Sequence, residues 1–151
     1  MSLDLSIQHV ITGAIESVKA IIPVSISYAE PKVYIKETTD ISLGVLITLI
    51  GDIHAKLIIQ GESSVFQKLA GMLFGMEVEG EMLLSFTGEL ANMIAGNLTM
   101  HISEIGFKTD ITPPNVLSEQ KAYYLHSETV ITSIYVQDHG KMDILIGLKT
   151  S

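Results

Sequence analysis

Residues 85–97 read SFTGELANMIAGN and lie inside a run, from about Gly80 to Gly106, whose apolar residues recur at the spacing of an amphipathic helix. At about 1.5 Å per residue, a helix of this length is about 40 Å long, which is comparable to the diameter of a small domain. Such a helix must form one wall of the molecule, and the other elements must pack against it.

A rotation of about 100° per residue separates the two faces of this helix. Its apolar face is formed by Leu83, Phe86, Leu90, Ile94, Leu98 and Ile105. Its outward face is formed by Ser85, Glu89, Asn92, Gly96, Thr99 and Ser103. The outward face thus carries one acid, one amide and otherwise small residues, whereas an ordinary solvated helix face carries many Lys and Glu. A face with few long side chains allows the backbone of another protein to come close.

The chain has 151 residues, the size of one domain, and we predict a single domain over residues 1–151. Apolar residues make up 47% and charged residues 17%, which is enough apolar material for a core and too little charge for disorder. No uninterrupted apolar run reaches the ~20 residues that span a bilayer, so we predict no membrane insertion. The absence of cysteine excludes disulfides and thiol chemistry and suits a cytoplasmic location.

The net charge of −8 argues against nucleic-acid binding, because a phosphate backbone requires a basic patch. It suits solubility, or a partner with a basic rim. Seven methionines in a chain without tryptophan indicate either an adaptable core or an adaptable interface, and the core is the favoured interpretation.

Two further helices are predicted before the long one. Residues from about Leu5 to Ile22 have helical apolar spacing, with Asp4 as the N-cap and Pro23 as the stop. A second helix begins at a cap formed by Ser63 or Ser64 and closes at Gly75.

The remaining segments alternate with a period of two, as strands do. Val24–Tyr28 and Val33–Ile35 count as one strand interrupted by Pro31, and the segments 41–50 and 54–60 form a hairpin through Gly51 and Asp52. Further strands are predicted over residues 108–111, 129–136 and 142–148, and residues 116–125 are ambiguous. The order α-β-β-β-α-α-β-β-β predicts an α+β fold with an antiparallel sheet of about six strands and long helices packed against it.

Several familiar kinds of active site are absent from the sequence. There is no glycine-rich phosphate loop and no Gly-x-Ser-x-Gly nucleophile elbow. The five histidines are scattered and form no His-x-x-x-His pair for zinc: His9, His54, His101, His126 and His139. The sequence therefore predicts no cofactor of its own and a function carried out with few catalytic groups.

One pattern carries a resemblance to a known family. Ser85-x-x-x-Glu89-x-x-Asn92, followed after the helix by Pro113 or Pro114, resembles the signature of the CheX/CheC/FliY family of chemotaxis phosphatases. Residues 88–96 (GELANMIAG) also resemble that family, as do the length of the chain and its order of helices and strands. The family pattern usually has Asp at the first position and tolerates Ser there.

The resemblance implies an enzyme that removes the phosphoryl group from the aspartyl-phosphate of a CheY-type response regulator. It implies that Asn92 enters the regulator's active site and orients the attacking water, and that Glu89 pairs with the regulator's active-site lysine. The regulator would supply the aspartate, the Mg²⁺ and the lysine. Ser85, Gly88, Gly96 and Pro114 are expected to contact the regulator, with the small residues allowing close approach.

The chain has one such motif, which resembles CheX-like members rather than CheC-like members with two, and this implies a homodimer whose sheet continues across the interface. Two other functions are compatible with the sequence. The chain could be a non-catalytic CheX-like module that docks on a receiver domain or a flagellar switch protein. It could also be a structural dimerisation domain in which Glu89 and Asn92 are ordinary surface residues.

Overall fold

The computed structural model describes residues 5–125 and 128–148. Within these ranges the chain forms three helices, which are α1 (Leu5–Ile21), α2 (Ser63–Phe74) and α3 (Gly80–Glu104). The same ranges contain eight strands: β1 (Ile26–Tyr28), β2 (Lys32–Tyr34), β3 (Thr38–Gly51), β4 (Ala55–Gly61), β5 (Thr109–Ile111), β6 (Asn115–Tyr124), β7 (Thr129–Val136) and β8 (Gly140–Leu148).

All the strands belong to one antiparallel sheet. Its main path runs β1-β7-β8-β4-β3-β5, while β2 also pairs with β7 and β6 also pairs with β3. The hairpin predicted around Gly51 and Asp52 is confirmed, with Leu49 opposite Ala55 at its closed end. The predicted α+β class and antiparallel sheet are confirmed, with eight described strands in place of about six.

The two extra strands have separate physical origins. Pro31 divides the first predicted strand into β1 and β2, which lie one after the other along β7, because proline has no N–H for a sheet ladder. The ambiguous segment 116–125 belongs largely to β6, which is irregular: Glu119 and Ala122 both have φ of 51°, and the Ala122 N–H donates to the Asp40 carboxylate at 2.9 Å. These irregularities break the alternation by which a strand is recognised.

The helices pack on one face of the sheet, and α3 contributes a continuous buried stripe. Five of the six predicted apolar positions are buried: Leu83, Phe86, Leu90, Ile94 and Leu98. The prediction for Ile105 is wrong, because α3 ends at Glu104 and the Ile105 side chain is 47% exposed beyond it, whereas Ile102 takes the last core position. Core residues from all three helices and the sheet form one cluster, which supports our proposal of a single domain over 1–151.

Helix α1 packs closely against α3 at Gly13. A Cβ placed on Gly13 would lie 2.6 Å from Cδ1 of Leu98 and 3.5 Å from Cβ of His101. Glycine at this position therefore lets the two helices approach more closely than a side chain would permit. The contact holds the inner side of α3 and leaves its opposite side facing outward.

The predicted helix ends have mixed outcomes. Gly75 closes α2, as predicted; it has the left-handed conformation, and its N–H donates to the Gly71 carbonyl. The predicted serine cap of α2 is wrong, since Glu62 is the N-cap residue and makes no side-chain capping bond. The Asp4 cap predicted for α1 lies outside the described residues. None of the described helices is long and apolar enough to cross a membrane.

Candidate functional site

The motif residues lie in the first half of α3, on the side that faces away from the sheet. Ser85 and Glu89 are exposed, and Asn92 is half-buried. Glu89 and Asn92 are separated by about 60° around the helix axis and less than one turn along it. One partner surface can therefore reach both side chains at the same time.

The three motif side chains, those of Ser85, Glu89 and Asn92, make no hydrogen bond or ion pair with any residue in 5–125 or 128–148. The small hydroxyls elsewhere on α3 behave differently, because Thr99 donates to the Gly96 carbonyl and Ser103 to the Met100 carbonyl, both at 2.7 Å. The polar groups of the motif are thus free for an external ligand, while these hydroxyls are already bonded to their own helix.

The charge of α3 indicates the kind of partner. The helix carries three glutamates, Glu81, Glu89 and Glu104, and neither Lys nor Arg. An exposed carboxylate on such a helix attracts a cationic side chain on the opposite surface.

The segment after β5 packs along the side of α3 next to the motif. Gly88 is buried, and a Cβ placed on it would lie 3.2 Å from Cγ2 of Val116 and 4.0 Å from Cγ of Pro114. Gly88 therefore lies under this segment and contacts residues of its own chain. Its lack of a side chain lets the exposed Pro114 lie beside the turn that precedes Asn92, and the contact favours Pro114 over Pro113 as the motif proline.

Gly96 is placed differently from Gly88. It is half-exposed on the outward face, one turn after Asn92, and a Cβ placed on it would meet no atom within 4 Å. The absence of a side chain at Gly96 therefore leaves open space at the surface of the helix, as an approaching backbone requires.

The outward face also contains three exposed methionines, although the sequence favours the core as the place of the methionines. Met82 is 53% exposed, Met93 39% and Met100 61%, and Met76 in the α2–α3 connection is 46% exposed. The interpretation of the methionines as core filling is therefore wrong for most of those described, since Met142 is the one that is fully buried. The outward face is correspondingly less bare than predicted. Positions 82, 93 and 100 fall on the same side of a helix as Glu89, so their spacing is the signal that places these methionines on the outward face.

The chemistry available at this site is limited. It offers one carboxylate, one amide and one hydroxyl on an open helix surface, with no thiol and no buried nucleophile. Among the described residues, no three or more His, Asp or Glu side chains are grouped closely enough to hold a metal ion. Such a set can bind and orient groups that a partner brings to it.

Comparison with solved structures defines the class of fold. A CheC-like superfamily protein from Shewanella sp. PV-4 matches with a TM-score of 0.80 and 19% identity, over 98% of this chain and 100% of that chain. The structure of a CheX-CheY-BeF3-Mg complex from Borrelia burgdorferi matches with a TM-score of 0.78 and 22% identity, over 95% of this chain and 97% of the matched chain. The chain therefore has the CheC-like fold.

Sequence comparison narrows the class to a family. The family profile described as chemotaxis phosphatase CheX matches residues 43–135. A relative named CheY-P phosphatase CheX, from Thermotoga maritima, is 32% identical over 120 residues, which are 77% of each chain. The chain belongs to the CheX family of chemotaxis phosphatases.

Proposed function

We propose that this protein accelerates hydrolysis of the aspartyl-phosphate of a CheY-type receiver domain, with Glu89 and Asn92 of α3 as the residues that act on the partner. The observation that carries the proposal is the unpaired Glu89–Asn92 set on an outward helix face of a CheX family member. The name of the Thermotoga relative and the complex of the Borrelia relative support the choice of substrate.

An acyl phosphate needs little from a second protein. The phosphorylated aspartate is already a reactive anhydride, and the receiver domain holds the Mg²⁺ and a lysine of its own. This chain is therefore proposed to need no cofactor. What remains to be supplied is a water molecule held in line with the bond that breaks, and positioning of this kind is a major source of rate in phosphoryl transfer.

Asn92 is suited to this positioning. Its amide oxygen accepts a hydrogen bond from the water, and its amide nitrogen can donate a hydrogen bond to an oxygen of the phosphoryl group. The water oxygen forms a bond to phosphorus while the bond between phosphorus and the aspartate oxygen breaks, so that the products are the aspartate carboxylate and dihydrogen phosphate. An amide does this without titrating and thus requires no altered pKa.

Glu89 is proposed to dock the helix. Its exposed carboxylate pairs with the lysine beside the receiver's phosphorylated aspartate, which fixes the register in which Asn92 enters. Ser85 on the same face, Gly96 with its open surface and the exposed Pro114 are proposed to border this contact. Gly88 is proposed to act indirectly: because it has no side chain, the Pro114 segment can lie close to the helix beside this contact.

We further propose that the protein is a homodimer joined along a sheet edge. β6 is the longer of the two outermost strands beside β3, and residues 118–122 along it are exposed. Such an edge offers backbone groups to a second copy. The cytoplasmic location stays a prediction.

The direct test is phosphate release from a panel of phosphorylated receiver domains, with this protein at substoichiometric amounts. Turnover of many receiver molecules per protein molecule supports the phosphatase. Binding of a receiver without faster phosphate loss would instead support a non-catalytic docking module, and the absence of both would leave only a structural role.

A further inference from the structure

The exposed methionines of α3 form a row along the side of the proposed site. Relative to Glu89, Met82 and Met100 lie at about +20° around the helix axis and Met93 at about +40°, whereas Asn92 lies at about −60°. The outward face thus has an apolar side and a polar side, with Glu89 between them. We call Met82, Met93 and Met100 the methionine row.

The row is not accounted for by packing within the chain. Its side chains are 53%, 39% and 61% exposed, whereas the neighbouring Leu90, Ile94 and Leu98 are at most 1% exposed. Three exposed thioethers at one angular position, on a face otherwise made of small and polar residues, form an apolar surface that water covers when the protein is alone.

The length of the row matches a single protein contact. Met82 and Met100 are 18 positions apart, which is about 27 Å along a helix. A contact of standard size buries about 800 Å² on each partner, a patch roughly 30 Å across. A domain centred on Glu89 and Asn92 therefore covers all three methionines, because Met93 is one turn from Glu89 and the other two lie within half the patch width.

We propose that the methionine row is the apolar half of the contact with the receiver domain, and that it controls how tightly the receiver binds while Glu89 and Asn92 act on the phosphoryl group. The inference rests on the proposed function for the identity of the partner. The partner then presents an apolar strip beside its phosphorylation pocket. Methionine is unbranched and polarisable, so the row can adapt to receivers whose strips differ in shape.

The test uses the whole protein and a receiver domain carrying BeF3⁻ and Mg²⁺, which mimics the phosphorylated state and is not hydrolysed. Three variants are compared with the unaltered chain: the triple change Met82→Ser, Met93→Ser and Met100→Ser, the same three positions changed to Leu, and the single change Ile105→Ser. Ile105 is a control, since it is exposed just beyond the end of the same helix, outside a patch of about 30 Å centred on Glu89 and Asn92. Because all four side chains are substantially exposed, urea unfolding midpoints should remain close to that of the unaltered protein.

We expect the serine triple to raise the receiver Kd about tenfold or more, the leucine triple to stay within about threefold, and Ile105→Ser to stay within about twofold. With a receiver that is hydrolysed, the serine triple should raise KM and leave kcat within about twofold. A serine triple that binds as tightly as the unaltered protein would overturn the inference, as would a leucine triple that loses as much affinity as the serine triple.

The two proposals fail in different ways. If the unaltered protein binds the receiver without speeding phosphate loss, the phosphatase proposal fails and the comparison of Kd values still decides the role of the row. If it binds no receiver in the panel, the methionine row is not a receiver contact and the inference is wrong.

Discussion

Gly88 of α3 and Val116 of β6 are in close contact, since a Cβ placed on Gly88 would lie 3.2 Å from Cγ2 of Val116. This contact brings the Pro114 segment against the helix directly before Asn92. It connects the sheet edge to the candidate site, and it distinguishes Gly88 from Gly96, which faces open space on the same helix.

The two glycines provide a first prediction. Replacement of a helical glycine by alanine stabilises a helix by roughly 0.5–1 kcal/mol when the new methyl group meets nothing. Gly96→Ala should therefore raise the free energy of unfolding by about that amount, whereas Gly88→Ala should gain less or lose stability because its methyl group presses on Val116. Urea unfolding of both variants measures the difference, and equal gains would contradict the described contact.

A second prediction tests which side of α3 faces the core. Leu98 is 0% exposed and Met100 is 61% exposed, two positions apart on the helix. Leu98→Ala should lower the free energy of unfolding by about 2–5 kcal/mol, because it removes buried methyl groups and leaves a cavity. Met100→Ala should change it by about 0.5 kcal/mol or less. Similar losses in urea unfolding would mean that α3 is rotated from the orientation described.

The part of the candidate site that the sequence predicts is the part that depends on a single regular helix, α3. A period of 3.6 residues is sufficient to place Glu89 and Asn92 on the side opposite Leu90 and Ile94, and the motif spacing identifies the family. The predicted burial of Ile105 is wrong because periodicity does not show that the helix ends at Glu104, one residue before Ile105.

Other features depend on contacts that a single sequence does not reveal. The β6 strand is ambiguous from sequence because two residues with φ of 51° and a side-chain acceptor, Asp40, replace part of its regular ladder. The number of methionines favours a place in the core, but composition alone does not distinguish a flexible core residue from an exposed one. Their helical positions, rather than their number, hold the information.

A third prediction concerns Glu89. Glu89→Gln removes the charge while keeping the shape, and it should raise the KM for a phosphorylated receiver roughly tenfold, because an ion pair with the receiver's lysine becomes a hydrogen bond from that lysine to an uncharged amide. The dependence of KM on ionic strength should weaken in the same variant.

A matched control for Glu89 is Glu104→Gln, an identical charge change about 22 Å further along the same helix. It should leave KM within about twofold of the unaltered protein, since surface charges at that distance are largely screened. If the two variants behave alike, Glu89 has no specific docking role and the effect is one of net charge.

A fourth prediction concerns assembly. Light scattering in solution should give a mass close to twice the 16.4 kDa of one chain if the proposed homodimer forms. Gln120→Pro at the exposed edge of β6 should shift the mass toward that of one chain, because proline removes a backbone donor and disturbs the edge. A dimer unaffected by this change would place the interface elsewhere, and a monomeric mass for the unaltered protein would contradict the dimer.

The central claim is that Asn92 orients the attacking water, and a comparison of Asn92→Ala with Asn97→Ala tests it most directly. Both changes remove a half-buried asparagine amide from α3, and Asn97 lies about 140° away around the axis, off the outward face. In the phosphate-release assay at substoichiometric protein, Asn92→Ala should lose roughly 100-fold or more of the acceleration while its Kd for the BeF3⁻-loaded receiver changes little, and Asn97→Ala should keep full activity. Full turnover by Asn92→Ala, or equal losses in the two variants, would contradict the account.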